Sequence, residues 1–143
     1  MIEYQNILDK NMLNVLKDIL INIRDKGLSN NNLLYVTFST NHQNVELPNW
    51  LRQKYPEEMT IVIQYEYYDL EINKNNFSIS LSFNDIKTNL RIDYNSIISF
   101  ADPSANFGLI LHKNKVQKKV NKKVEKKKSN KNNVINFSNY KKN

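Results

Sequence analysis

The chain has no cysteine, two glycines, three prolines and two histidines among its 143 residues. Without a thiol there is no disulfide, no thiolate zinc site and no cysteine nucleophile, which suits a reducing compartment. Two glycines cannot furnish a phosphate-cradling loop or a nucleophile elbow, because both motifs need close backbone approach at several positions. Nucleotide chemistry is therefore not expected. Apolar runs are only a few residues long and no basic-then-apolar leader opens the chain, so neither a membrane span nor a secretory signal is expected. These absences together predict a cytoplasmic protein without a membrane partner.

What the chain has in excess is lysine at one end. Residues 113–143 hold twelve Lys and one acid, Glu125, a net +11, whereas residues 1–112 hold nine Lys and Arg against thirteen Asp and Glu, a net −4. A Lys/Asn-rich run with few apolar residues cannot bury enough surface to offset the entropy of ordering, so residues 113–133 are expected to form an extended, solvated linker. Asn, Lys and Ile are abundant everywhere, which points to a general coding bias and discounts part of that charge as merely solubilising. Residues 134–143 bring apolar side chains back as Val134, Ile135, Phe137 and Tyr140, followed by Lys141 and Lys142. Residues 1–112 suffice for one domain of ordinary size. A body, a tether and a terminal sticky peptide are the parts of an adaptor.

In the body, Leu8, Met12, Leu13, Val15, Leu16, Ile19, Leu20 and Ile23 recur at helical spacing and predict a helix over residues 4–26. At 100° per residue they cover roughly 160° of its surface, wider than the ~100° an ordinary surface helix needs. Such a helix wants two partners: a sheet, and either the same helix of a second subunit or a deep cleft within the monomer. Twofold dimers are the commonest soluble assemblies, so a homodimer through Leu8, Met12, Val15, Leu16, Ile19 and Ile23 is expected. Gly27 reads as a left-handed stop, with Lys26 beside the negative end of the dipole.

Period-two and β-branched segments follow. Leu34–Phe38 reads as a strand, Asn49–Tyr55 as a short amphipathic turn or helix between Pro48 and Pro56, and Thr60–Tyr68 as one strand. Phe77–Phe83 alternates most cleanly, with Phe77, Ile79, Leu81 and Phe83 on one face and three serines on the other. After a turn over Asn84–Lys87 come a shorter strand near Leu90–Tyr94 and a last one at Phe107–Leu111. The predicted fold class is α+β, mainly β: an N-terminal helix and an antiparallel meander of five or so strands curled into a small, partly open barrel.

No catalytic constellation emerges. His42 lies in a polar loop with no serine or carboxylate at a telling spacing, and the side chains of the neighbours Glu57 and Glu58 diverge along an extended chain. Asp85, Asp93 and Asp102 sit at turns and strand ends, where aspartate caps backbone N–H groups. Nothing groups these residues as metal ligands, so no enzyme activity, metal or cofactor is expected.

Three blocks carry a resemblance: Tyr55-Pro56-Glu57-Glu58-Met59-Thr60-Ile61-Val62-Ile63-Gln64, then Phe77-Ser78-Ile79-Ser80-Leu81-Ser82-Phe83, then Ser99-Phe100-Ala101-Asp102-Pro103-Ser104 with Phe107-Gly108-Leu109. In that order they resemble the stringent starvation protein B (SspB) family in its alphaproteobacterial branch, and Val134–Lys142 is similar to that branch's tail peptide. The resemblance implies a non-enzymatic adaptor of the ClpXP protease. The body would grip the ssrA tag on stalled translation products, and the tail would dock on the N-terminal domain of ClpX through Val134, Ile135, Phe137, Tyr140, Lys141 and Lys142. It implies a partly open, Sm-like barrel dimerised through the N-terminal helix. Gln64 is the implied first tag contact, with Val62, Leu81, Phe100 and Ala101 lining the groove. The residues themselves add that Gln64 interrupts a β-branched run with an amide that both donates and accepts, while Leu81 reads equally well as plain core.

A tether of this length spans about 25 Å, which would hold tagged cargo near the unfoldase pore at an effective concentration in the millimolar range. The rival reading is a single-stranded nucleic-acid-binding barrel that stacks bases on Tyr65, Tyr67 and Tyr68. The negative body, the absence of arginine from the tail and the lack of aromatic-basic interleaving weigh against it. A structural dimer with a merely solubilising tail is the third reading.

Overall fold

A computed structural model describes residues 1–29 and 31–111. The linker 113–133 and the expected docking residues Val134, Ile135, Phe137, Tyr140, Lys141 and Lys142 lie outside the described residues.

The elements run α1 (Tyr4–Lys26), β1 (Leu34–Ser39), α2 (Asn49–Lys54), β2 (Glu58–Ile63), β3 (Tyr67–Ile72), β4 (Asn76–Phe83), β5 (Ile86–Asp93), β6 (Ile97–Asp102) and β7 (Phe107–Ile110). The strands form two sheets, one of order β2-β1-β6-β7 and one of order β3-β4-β5. All pairings are antiparallel, and the sheets do not close into a continuous barrel. The expected class, one helix followed by a mainly antiparallel β body, is what the fold shows.

One core joins both sheets and the helix. β1 and β2 contribute Leu34, Val36, Phe38, Ile61 and Ile63, β4 and β5 contribute Phe77, Ile79, Leu81, Leu90 and Ile92, and α1 contributes Met12, Leu16, Leu20 and Ile23. Each fully buried Leu, Ile or Phe contributes about 1.5–3 kcal/mol of hydrophobic stabilisation, so the period-two rows and the helical stripe define a single hydrophobic interior. Between α2 and the sheets, the Arg52 guanidinium donates to the carbonyls of Thr40 and Val45. The loop it holds exchanges backbone hydrogen bonds between Glu46 and Arg91 at 2.9 and 3.0 Å, which covers part of the free edge of β5.

Several expectations are corrected. Thr60–Tyr68 is not one strand but the end of β2 and the start of β3, which belong to different sheets. Continuing β2 would carry Tyr65 onto the core face after Ile61 and Ile63, yet Tyr65 is 78% exposed because the chain bends at residues 64–66. Ser78 and Ser80 are buried rather than solvated. They lie in the middle strand of their sheet, between the longer flanking side chains of Glu71 and Arg91 and of Tyr68 and Asn89.

The turn expected over Asn84–Lys87 is shorter: Asn84 and Asp85 both take positive φ, the signature of a two-residue hairpin, and β5 begins at Ile86. Ile97–Asp102, where no strand is expected above, is a strand paired on both sides, and with the split of Thr60–Tyr68 it brings the number to seven in place of the expected five or so. Gly27 does end α1, but with φ 74° and ψ −178° it occupies extended positive-φ backbone that is essentially glycine's alone, not the left-handed helical region. Asp93 and Asp102 accept from the N–H groups of Asn95 and Ser104, as capping aspartates should.

Candidate functional site

The outer face of the four-stranded sheet is set by the same alternation that fills the core. Because Leu34, Val36 and Phe38 point inward, Tyr35 and Thr37 lie on the opposite face of β1. Register then aligns one residue from every strand. Val62 pairs with Tyr35, Tyr35 with Ala101 and Ala101 with Gly108, making an apolar row in which the small Ala101 and Gly108 follow a tyrosine. The next row out is Thr60, Thr37, Ser99 and Ile110. In it the Thr37 and Thr60 hydroxyls are 2.7 Å apart. An apolar track beside a line of hydroxyls offers side-chain slots and polar register points to an extended peptide.

At one end of this face β2 stops and the chain crosses to the other sheet. Gln64 sits in that bend, half-buried, two residues beyond Val62, with exposed Tyr65 beside it. Across the junction Tyr67 opens β3 and pairs with Leu81 of β4. β2 and β3 are both edge strands of their sheets. A free edge is where an added strand finds backbone partners.

The five expected groove residues thus separate into two groups. Val62, 41% exposed, and Ala101, itself only 5% exposed, share the outer face through Tyr35, and half-buried Gln64 borders it. Leu81 and Phe100 are 4% and 1% exposed and belong to the core. Phe100 cannot share a wall with Ala101, because consecutive strand residues face opposite sides. Tyr35, Thr37 and Thr60 were absent from the sequence reading, although the alternation in Leu34–Phe38 already puts Tyr35 and Thr37 opposite the core.

The expected dimer residues also separate. Met12, Leu16 and Ile23 are buried in the chain's own core, while Leu8 and Val15 are exposed and Ile19 is half-buried. With Tyr4 the latter three fall within about 60° of helix surface. This stripe runs into a cleft of about 590 Å³ whose walls include Val15, Ile19, Leu28 and Phe107.

His42 closes its own turn, its Nδ1 accepting from the Asn44 N–H at 3.1 Å. Among the described residues, no cluster of His, Asp and Glu is arranged to hold a metal ion, and no helix is long and apolar enough to cross a membrane.

Compared with known protein families, the chain matches the model described as SspB, stringent starvation protein B, over residues 7–142. The match takes in the helix, both sheets and nearly all of the C-terminal segment. No curated protein matches the chain.

Proposed function

The chain belongs to the SspB (stringent starvation protein B) family, and from that footing we propose that it delivers ssrA-tagged proteins to ClpXP. Membership carries an adaptor role in general terms; the tag, the unfoldase and the division of labour between body and tail are the proposal. The body holds the tag as an extended peptide on the face of Val62, Tyr35 and Ala101, with Gln64 fixing its register at the bend. The tail docks on the N-terminal domain of ClpX through Val134–Lys142, and residues 113–133 tether one to the other. Delivery is by effective concentration, with no bond made or broken. The protein works in the cytoplasm.

The observation that supports this best is the extent of the family match, which continues from the body to residue 142 instead of ending where the body does. The apolar and hydroxyl rows supply the kind of surface the reading needs. The stripe of Tyr4, Leu8, Val15 and Ile19 supports a homodimer with two faces and two tails.

Fluorescence anisotropy with a labelled peptide ending in an ssrA-like sequence tests the reading. The full chain binds it, and Gln64→Ala weakens binding several-fold. Binding no tighter than that of a scrambled peptide would overturn the proposal.

A further inference from the structure

Two open sheets leave four outermost strands, β2 and β7 in one sheet and β3 and β5 in the other. An outermost strand offers unpaired backbone N–H and C=O groups to any extended chain, and stable proteins blunt such edges with bulges, charges, short length or a covering segment. Three of the four are blunted here. β5 exchanges backbone hydrogen bonds with Glu46 through Arg91, at 2.9 and 3.0 Å. β3 loses its register between Tyr68 and Glu71, where Asp69 takes a φ of 55° and its carboxylate lies 3.7 Å from the Lys87 ammonium, and α1 packs against it. β7 is four residues long.

β2 is the exception. Glu58–Ile63 keeps an unbroken register with β1, from Ser39 opposite Glu58 to Leu34 opposite Ile63, so its other edge is equally regular. It holds no lysine, arginine or proline, its single charge is Glu58 at the start, and Thr60-Ile61-Val62-Ile63 is wholly β-branched. Among the described residues nothing pairs with that edge. Met59, Ile61 and Ile63 are buried while Thr60 and Val62 are exposed. A strand laid beside β2 would therefore add one residue to each row of the outer face, one next to Val62, Tyr35 and Ala101 and one next to Thr60, Thr37 and Ser99. Where β2 stops, Gln64 stands half-buried beside Tyr65, which is 78% exposed.

We infer that the client peptide binds by adding itself to this edge as a further strand, its backbone hydrogen-bonded to β2. This rests on the proposed function, and it fixes where on the outer face the peptide lies and what it must be. The peptide is an extended segment about as long as β2, six residues, without proline at the positions that donate to β2. Every second side chain continues the apolar and hydroxyl rows, and those rows select among segments that the backbone alone would accept equally. The Gln64 amide, able to donate and accept, meets the peptide where the ladder ends. The bound peptide also covers the one long edge that would otherwise invite pairing between copies of the chain.

The test is an ester scan. Each backbone amide of a labelled ssrA-like peptide is replaced in turn by an ester, which removes one N–H donor without added bulk, and binding to the full chain is read by anisotropy. Alternate residues of a strand turn their N–H and C=O groups to the same side. Affinity therefore falls about 3- to 10-fold at every second residue of the bound segment, and the residues between are unaffected. Because the protein is unaltered in the scan, no loss can come from unfolding. If the unmodified peptide binds no tighter than a scrambled one, the proposed function fails and the inference with it. If it binds but the scan shows no alternation, the function stands and the inference is overturned. A scan without alternation together with a disulfide-linked dimer of the Thr60→Cys chain, which has no other thiol, would assign the edge to a second copy instead.

Discussion

The hydroxyls of Thr37 and Thr60 meet at 2.7 Å across β1 and β2, one row away from the Tyr35–Val62 pair. Their contact ties the edge strand to its neighbour on the face proposed to hold the client peptide. Removing either hydroxyl with valine costs about 0.5–1 kcal/mol in a partly solvated setting, and the double replacement costs less than the sum because the two share one bond. Urea unfolding of the two single variants and the double variant closes that cycle.

Phe100 and Ala101 are sequence neighbours with opposite roles, and variants on the two faces should behave oppositely. Phe100→Ala empties a core position that is 1% exposed and lowers stability by about 3–5 kcal/mol. Val62→Glu, on the face that carries Ala101, changes stability by less than about 0.5 kcal/mol yet abolishes client-peptide binding by placing a charge on the apolar row. Denaturation midpoints and peptide titrations on both proteins separate the effects.

How far the sequence could be read follows from the same geometry. α1, β1 and β4 are legible because each has a single core-facing stripe at its own period. β6 is not: its burial runs Ile97 buried, Ile98 and Ser99 half-buried, Phe100 and Ala101 buried, since it is paired on both sides and a bulge shifts its register against β1. The division into two sheets is likewise hidden, because the pairing of β1 with β6 joins residues some sixty positions apart. No local pattern records such a pairing. In the site, Val62 and Gln64 follow from the family resemblance, whereas Tyr35 is not legible because an aromatic residue in a strand reads as core until its register partners are known.

The Arg52 guanidinium ties down both ends of the 40–45 segment by donating to the carbonyls of Thr40 and Val45. Arg52→Met leaves both acceptors without their charged donor and lowers stability by about 1.5–3 kcal/mol. Hydrogen exchange should then show faster exchange at Glu46 and Arg91, whose backbone bridge depends on that loop.

Burial pushes the Tyr94 phenol up to about 12, while its hydroxyl donates to the Asn73 carbonyl at 3.2 Å. The fold favours the neutral phenol over the phenolate. Its contribution is fully present below the unfolded tyrosine pKa of about 10 and is lost as pH rises from there through about 12. In an ultraviolet absorbance titration, one of the eight tyrosines ionises late, and Tyr94→Phe removes that late step. A profile unchanged by the substitution would show that Tyr94 is not the buried phenol.

The central claim is that the face built on Val62 and Ala101 holds cargo while the chain's last ten residues find the degradation motor. It is tested most directly by the rate at which ClpXP degrades an ssrA-tagged reporter, at limiting reporter concentration, with the full chain and with a chain lacking residues 134–143. The account predicts that the shortened chain still binds the tag peptide with full affinity but no longer accelerates degradation, and instead slows it by sequestering the reporter. Acceleration equal to that given by the full chain would contradict it.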